Sequence, residues 1–380
     1  MERIYLDNAA TARLSRQALA AMLPFWEGEQ GNPSSLHSYA RESRKAMEAA
    51  RGKIAGILGA KPQEIFFTSG GSEGNNLLLR GSIEANGKKG RHVITSAVEH
   101  PSVLGTLQDM MQRGQIELTI LPVDEYGQVS VSSLKEALRP DTVLVSIMTA
   151  NNEVGTLEPV DEIGTICKEN GSIFHSDGVQ AVGHIPVDVK ESKLGLLSLS
   201  AHKFHGPRGV GAVYIQSDTA VHPLITGGEQ EHHLRAGTQN VPGIVGMAEA
   251  LAEAMEEYPA VHARLQSFQS KLVQAVLSNV PNSRLTGHPT ERLPGTVSFL
   301  FDGVSTDELL AMLDMNGIAA SAGSACTAGS HQPSHVLSAM GLLNSAHKAP
   351  LRLSMSRYTT EDEVNKVIAI LPDIIARLRG

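Results

Sequence analysis

Four places along this 380-residue chain combine residue types that can do chemistry. Lys203 follows the apolar run at 196–199 and precedes Gly206-Pro207-Arg208-Gly209-Val210-Gly211. A partly desolvated lysine amine is what carbonyl condensation requires. The competing reading is a lysine whose stem is buried while its ammonium reaches solvent. Asp177 falls just past a short apolar strand, at the sheet edge where α/β proteins keep their ligands. A carboxylate there can hold a protonated ring nitrogen, or it can cap the turn that follows. Gln180, three residues on, is within reach of the same ligand. Ser200 and His202, beside Lys203, suit a phosphate. Gly70-Gly71-Ser72 joins a strand to a helix, and main-chain N–H groups at such a junction cradle anions. The stretch is neither a Walker loop nor GxGxxG, and a tight turn with Ser72 as N-cap is its plainer reading. Cys326 stands among Ser, Ala, Gly and Thr, with no apolar neighbour to bury it, so it reads as an accessible thiol. Its segment, residues 321–330, has almost no apolar side chains and is expected to be mobile. Cys167 instead shares an apolar helix face with Ile163 and Ile166 and reads as core.

Weaker signals surround these. His100 lies at a strand-to-helix junction, where an imidazole can stack on a flat ring or move protons. Asn152 ends a strand and can donate to a ring hydroxyl. Arg352 can bind a carboxylate in a bidentate fork. His202 with His205, and His232 with His233, lack a third ligand, so no metal site is expected.

The elements that must position these residues follow from periodicity. Strands are expected at 64–68, 92–95, 116–122, 143–148, 172–175, 196–200 and 210–215. Helices are expected at 44–58, 72–83, 101–113, 131–138 and 160–169. Such alternation predicts an α/β fold: a large domain with a mostly parallel seven-stranded sheet covered by helices on both faces. After Val241 the texture changes to long helices at 243–257 and 260–279. Strands at 295–300 and 351–354 follow, with helices at 306–316, 333–340 and 360–378. This predicts a smaller α+β C-terminal domain. The boundary is placed near Tyr258-Pro259, giving 13–257 and 258–380, with residues 1–12 joined to the smaller unit.

Composition narrows the function classes. Hydrophobic residues at 41% and charged residues at 19% suit a folded soluble protein. Thirty-two Lys plus Arg against 40 Asp plus Glu give a net charge of −8, with no basic stripe for nucleic acid. Apolar stretches fall short of a membrane span, and the N-terminus carries no signal pattern. Two cysteines exclude a disulfide framework and a four-cysteine zinc site. A cytoplasmic protein is expected.

Lys203, Asp177 and the Gly70-Gly71-Ser72 loop together resemble pyridoxal-phosphate enzymes of the aspartate-aminotransferase fold type. With Cys326, the chain resembles a cysteine desulfurase of the NifS/IscS class. The likeness runs from Tyr5-Leu6-Asp7-Asn8-Ala9-Ala10-Thr11 to Arg352 and Thr359-Thr360-Glu361. It takes in Gly31-Asn32-Pro33-Ser34-Ser35, Asn151-Asn152-Glu153-Val154-Gly155 and Leu234-Arg235-Ala236-Gly237-Thr238. One departure is Glu229, where many relatives carry a third glycine after Gly227-Gly228.

The resemblance implies pyridoxal 5′-phosphate as cofactor and a role for each matched residue. Lys203 forms the Schiff base, and Asp177 pairs with the ring nitrogen. Gln180 and Asn152 meet the ring oxygen and the substrate, and His100 stacks on the ring. Gly71, Ser72, Ser200 and His202 hold the phosphate, and Thr238 reaches it from the partner of a homodimer. Arg352 holds the carboxylate of L-cysteine, and Cys326 takes its sulfur as a persulfide. His100 is also a candidate to deprotonate the incoming thiol or Cys326. The sulfur then passes to an acceptor, an iron–sulfur scaffold or a tRNA-thiolation enzyme among them. A selenocysteine lyase and a class V aminotransferase are the enzyme alternatives. A non-catalytic nucleotide-binding module would leave Lys203, Asp177 and Cys326 without a role.

Overall fold

The computed structural model describes residues 3–28, 31–323, 333–343 and 348–380. After a short strand β1 (Ile4–Tyr5) come helices α1 (Arg16–Met22), α2 (Pro24–Glu27) and α3 (Ser38–Ile57). The alternating part then runs β2 (Ile65–Thr68), α4 (Gly71–Ala85), β3 (His92–Ser96), α5 (Pro101–Gln112) and β4 (Glu117–Leu121). It continues with α6 (Val131–Ala137), β5 (Thr142–Ser146), α7 (Val160–Asn170), β6 (Ile173–Asp177), β7 (Leu196–Ser200) and β8 (Gly211–Ile215).

These strands form the expected seven-stranded sheet, in the order β2-β8-β7-β6-β5-β3-β4. All neighbours run parallel except β8, which is antiparallel to β2 and β7. β3, β5, β7 and β8 are buried along their whole length, because helices cover both faces. On one face Ile94, Val145, Leu197 and Leu199 pack with residues of α1, α3, α7 and the helix after β8. On the other, Val93, Leu144, Leu196 and Val213 pack with Leu77 and Leu78 of α4 and Val103 and Leu107 of α5. Neighbouring residues thus face opposite sides, as the pleat requires. Crossovers reverse direction between β3 and β5, and a crevice forms at such a switch point, beyond the carboxyl ends of the strands.

The helix after β8, α8 (Val241–Asn279), corrects one expectation. It is one continuous 39-residue helix through Pro259, where two helices were expected. Pro259 removes a main-chain donor, yet packing on both sides of it carries the helix through. Upstream, Met247, Leu251 and Ala254 join the core of the large sheet. Downstream, Leu265, Phe268, Leu272 and Val276 join a separate apolar cluster. That cluster is built on β9 (Ser283–Thr286), β10 (Thr296–Asp302), α9 (Thr306–Met315) and β11 (Ile318–Ala319). α10 (His335–Ala339), β12 (Lys348–Ser354) and α11 (Glu361–Arg379) complete the chain. β12, β10 and β9 form an antiparallel sheet, which sets Arg352 opposite Ser298. β1 pairs in parallel with β11, and Ile4 and Leu6 are buried in this second cluster.

Candidate active site

The carboxyl ends of several strands open on one cavity of about 220 Å³. Its wall carries Gly71, Ser72, His100, Asn152, Asp177, Gln180, Ser200, His202, Lys203 and Arg352, ten residues singled out in the sequence. Thr238 is exposed and is not among the lining residues. Cys326 lies outside the described residues, as does most of its segment.

Asp177 is the last residue of β6 rather than just past it. It is 5% exposed. One carboxylate oxygen accepts from the Val179 N–H at 2.9 Å and the other from Asn75 Nδ2 at 2.7 Å. These two donors orient the group and leave its remaining lone pairs to the cavity that it lines.

Lys203 follows β7 in a single turn of 3-10 helix. Its ammonium donates to the main-chain oxygens of Ala9 and Ala10, at 2.6 and 3.0 Å. Gln180 Nε2 donates to Ala9 as well, at 3.0 Å. The N-terminal segment therefore forms one wall, and Asn8 Nδ2 ties it to the Ser354 carbonyl at 2.8 Å.

The start of α4 carries no side-chain cap. Gly70 has φ 155°, and Gly211 packs directly against it. A side chain at Gly71 would meet Val179 Cγ2 at 2.6 Å. Glycine here keeps the backbone bare, and uncapped N–H groups at the positive end of a helix suit a phosphate. A second recess shares Gly71, Ser72, Ser200 and His202 and adds Thr11 and Arg208. Burial, with Lys203 and Arg208 beside it, pushes His202 down to about 4, so at neutral pH it is an uncharged hydrogen-bonding group.

Arg352 is 2% exposed. Nη1 donates to the Asn152 carbonyl at 2.7 Å and Nη2 to Asp7 Oδ1 at 2.9 Å. The fork is fixed between two parts of the chain and still borders the cavity.

Several site residues went unrecognised in the sequence. Asn75 is 1% exposed and joins Asp177 to Ser102, whose hydroxyl meets His100 Nδ1 at 2.8 Å. Glu99 is fully buried, and burial holds its carboxyl well above the usual range. It accepts from Ser96 Oγ at 2.7 Å and Met148 N–H at 2.9 Å, which pins the loop before His100 to the end of β5. Glu153 is 2% exposed and takes the Ser334 hydroxyl, with Gly323 packed close to the same oxygen. A run of polar residues in the first turns of a helix carries no signal that separates such roles from solvated ones.

The donor set fits pyridoxal 5′-phosphate. A buried carboxylate, a lysine amine and an uncapped helix start share one cavity wall, and a Cβ at position 71 would collide with Val179 of that wall. The comparisons agree. The family model for class-V aminotransferases matches residues 4–367. A cysteine desulfurase IscS of Methanosarcina thermophila is 45% identical over 377 residues, 99% of this chain and 93% of that protein. One of Clostridium botulinum is 45% identical over 380 residues, 100% of this chain and 96% of that protein. A solved structure described as a NifS-like protein is 38% identical, with a TM-score of 0.93 over 99% of this chain and 100% of its own. The fold and site define a class-V aminotransferase, and the chain belongs to that family. Within it, the chain falls in the NifS/IscS class of cysteine desulfurases.

Proposed function

We propose that this protein converts L-cysteine to L-alanine and carries the sulfur as a persulfide on Cys326. The observation that carries the reading is the sharing of one cavity by Lys203, Asp177, Arg352 and the uncapped start of α4. Bound there, pyridoxal phosphate supplies an electron sink for the charge left when an amino acid loses its α-proton. Lys203 would anchor that group through its amine, which is also the base on the cavity wall placed to take the substrate α-proton. Asp177 holds a proton on the ring nitrogen, which keeps the sink effective. Gly71, Ser72, Ser200 and His202 hold the phosphate, while His100, Asn152 and Gln180 orient the ring and the substrate. Arg352 holds the substrate carboxylate in its fork. The Cys326 thiolate attacks the substrate sulfur. A sulfur–sulfur bond forms, the carbon–sulfur bond breaks, and its electron pair stays with the three-carbon product, which is protonated to alanine.

The arrangement outside the cavity belongs to the same proposal. The protein is a homodimer in which Thr238, exposed and off its own cavity wall, completes the partner's phosphate site. Exposed Leu19, Leu23, Trp26, Leu36 and Tyr39 are apolar surface that a second copy can bury. The division at 257/258 falls within α8, between the apolar clusters that take Ala254 and Leu265. Among the described residues no helix is long and apolar enough to cross a membrane. A carrier thiol needs a reducing compartment, which supports the cytoplasm. The acceptor is an iron–sulfur scaffold or a tRNA-thiolation enzyme. The test is incubation of the cofactor-loaded protein with L-cysteine. In a single turnover alanine and persulfide are expected in equal amounts, whereas keto-acid formation without persulfide would indicate an aminotransferase.

A further inference from the structure

We propose that Asn75 and Ser102 are positioning residues that lock His100 in one tautomer, so that it presents an N–H, not a lone pair, to the cavity.

The argument follows the direction of each hydrogen bond. Asp177, as a carboxylate, only accepts, so the Asn75 group 2.7 Å from it is the NH₂ end. Ser198 Oγ donates to the oxygen end, which agrees with that orientation. The same Asn75 nitrogen lies 2.8 Å from Ser102 Oγ and spends its second hydrogen there. Ser102 Oγ is thereby an acceptor toward Asn75, and its own hydrogen is available for His100 Nδ1 at 2.8 Å. The Ser102 main-chain N–H points at the same Nδ1 from 3.1 Å, the N-cap contact that starts α5. A hydrogen on Nδ1 would face that N–H and leave the serine hydroxyl without an acceptor. Nδ1 is therefore bare, and the proton of the neutral ring sits on Nε2. Among the described residues Nε2 has no partner, and His100 lines the cavity.

Charge on the ring is opposed as well as located. Burial lowers the affinity of His100 for a second proton, and Lys203 and His335 act in the same direction against Asp177. A neutral imidazole with its proton on Nε2 cannot accept another from the cavity side at that nitrogen. It can donate a hydrogen bond to an electron-rich atom such as a substrate sulfur or a ring oxygen. This removes His100 as the base for the incoming thiol and leaves the Lys203 amine as the proton acceptor on the cavity wall. The inference deepens the desulfurase reading and rests on it only for the identity of the substrate.

The test is ¹⁵N NMR of the histidine-labelled holoenzyme at neutral pH, with His100→Gln to assign the signals. The expected result is a protonated Nε2 and an unprotonated Nδ1 on His100. A dominant Nδ1–H form overturns the proposal. Asn75→Ala and Ser102→Ala each release part of the lock. Both are expected to raise the Nδ1–H fraction and to lower kcat roughly tenfold, the effect of one buried hydrogen bond, with KM for L-cysteine unchanged. Because Asn75 also supports Asp177, Ser102→Ala is the cleaner variant and decides the matter if Asn75→Ala fails to fold. A tautomer ratio unchanged in Ser102→Ala overturns the relay. Failure of the desulfurase reading would show separately, as a wild-type protein with the expected tautomer that releases no alanine from L-cysteine.

Discussion

Arg352 and Asp7 lie 345 residues apart in sequence, yet Arg352 Nη2 donates to Asp7 Oδ1 at 2.9 Å beside the substrate cavity. The contact ties the second residue after β1 to the middle of β12, and the Asn152 carbonyl takes the other end of the fork. A fork held at both tips is pre-organised for a planar carboxylate.

Replacement of Arg352 by lysine is therefore expected to raise KM for L-cysteine about 10- to 100-fold, the loss of a charged two-point contact. A lysine keeps the charge but cannot span Asp7, Asn152 and a carboxylate together. The measurement is steady-state alanine release, and an unchanged KM would remove Arg352 from substrate binding.

Lys203→Ala is expected to lose desulfurase activity and the cofactor absorbance that borohydride fixes to the wild-type chain. Its contacts to Ala9 and Ala10 are made by the ammonium alone, so the fold is expected to survive. Normal turnover in this variant would sink the assignment.

Asp177→Ala removes the acceptor for Asn75 and Val179 along with the charge on the cavity wall. Exchange of the substrate α-proton for deuterium is expected to slow on the order of 100-fold. Exchange at the wild-type rate would show that the ring nitrogen is held by something else.

Parts of this arrangement were legible in the sequence for a physical reason. The sheet is buried on both faces, so its strands appear as short apolar runs, and Asp177 and Lys203 stand out as charges at their ends. α8 was read as two helices because Pro259 is a local signal, while the packing of Leu251 and Leu265 on opposite sides of it is not. β11 has only two residues, too few to show alternation, and β9, Ser283–Thr286, carries one apolar residue where the equally short β2 carries three, so neither shows in the sequence. Asn75, Ser102 and Glu99 escaped for a different reason. Their roles come from partners in other elements, Asn75 meeting Asp177 and Ser102, and Glu99 meeting Met148, and spacing along the chain holds no trace of those contacts.

Buried ionisable groups set the dependence of stability on pH. Burial pushes His175, His184 and His202 down to about 4 and His205 to about 3, from an ordinary 6.5. Below about 6.5 the unfolded chain binds protons that the native state refuses, so stability falls as pH drops toward about 4. Glu158 and Glu99 act the other way. Burial pushes Glu158 up to about 8, and Glu99 is also raised, so the native state holds protons that the unfolded chain gives up above about 4.5. Between about 4.5 and 6.5 these four histidines, joined by His92 and His100, which burial also lowers, outnumber the two carboxyl groups, and above 6.5 only the carboxyl groups remain. Maximum stability is expected near pH 6.5, with Tm of the holoenzyme declining on both sides. A Tm that climbs steadily to pH 8 would contradict this balance.

The last expectation separates the two cysteines. Cys167 lies in α7, is fully buried, and burial pushes its thiol up to about 12. At pH 7 its thiolate fraction is on the order of one part in 10⁵, too small for a sulfur acceptor. Cys326 lies outside the described residues, and its sequence neighbours are Ser, Ala, Gly and Thr, which offer no apolar burial. Cys326→Ser is expected to bind pyridoxal phosphate and to exchange the α-proton of L-cysteine at the wild-type rate. It is expected to form no persulfide and to pass no sulfur to any acceptor, because the proposed loss of the α-proton to the Lys203 amine does not need the thiol. Cys167→Ser, in contrast, is expected to turn over normally, with at most the modest loss of stability that follows a polar change in a packed helix face. The measurement is brief exposure to sulfur-labelled cysteine, trapping with a thiol-reactive probe, and peptide mapping. Label on Cys167, or full activity in Cys326→Ser, would overturn the assignment of the carrier thiol, and loss of α-proton exchange in Cys326→Ser would show that the cysteine acts earlier than sulfur capture.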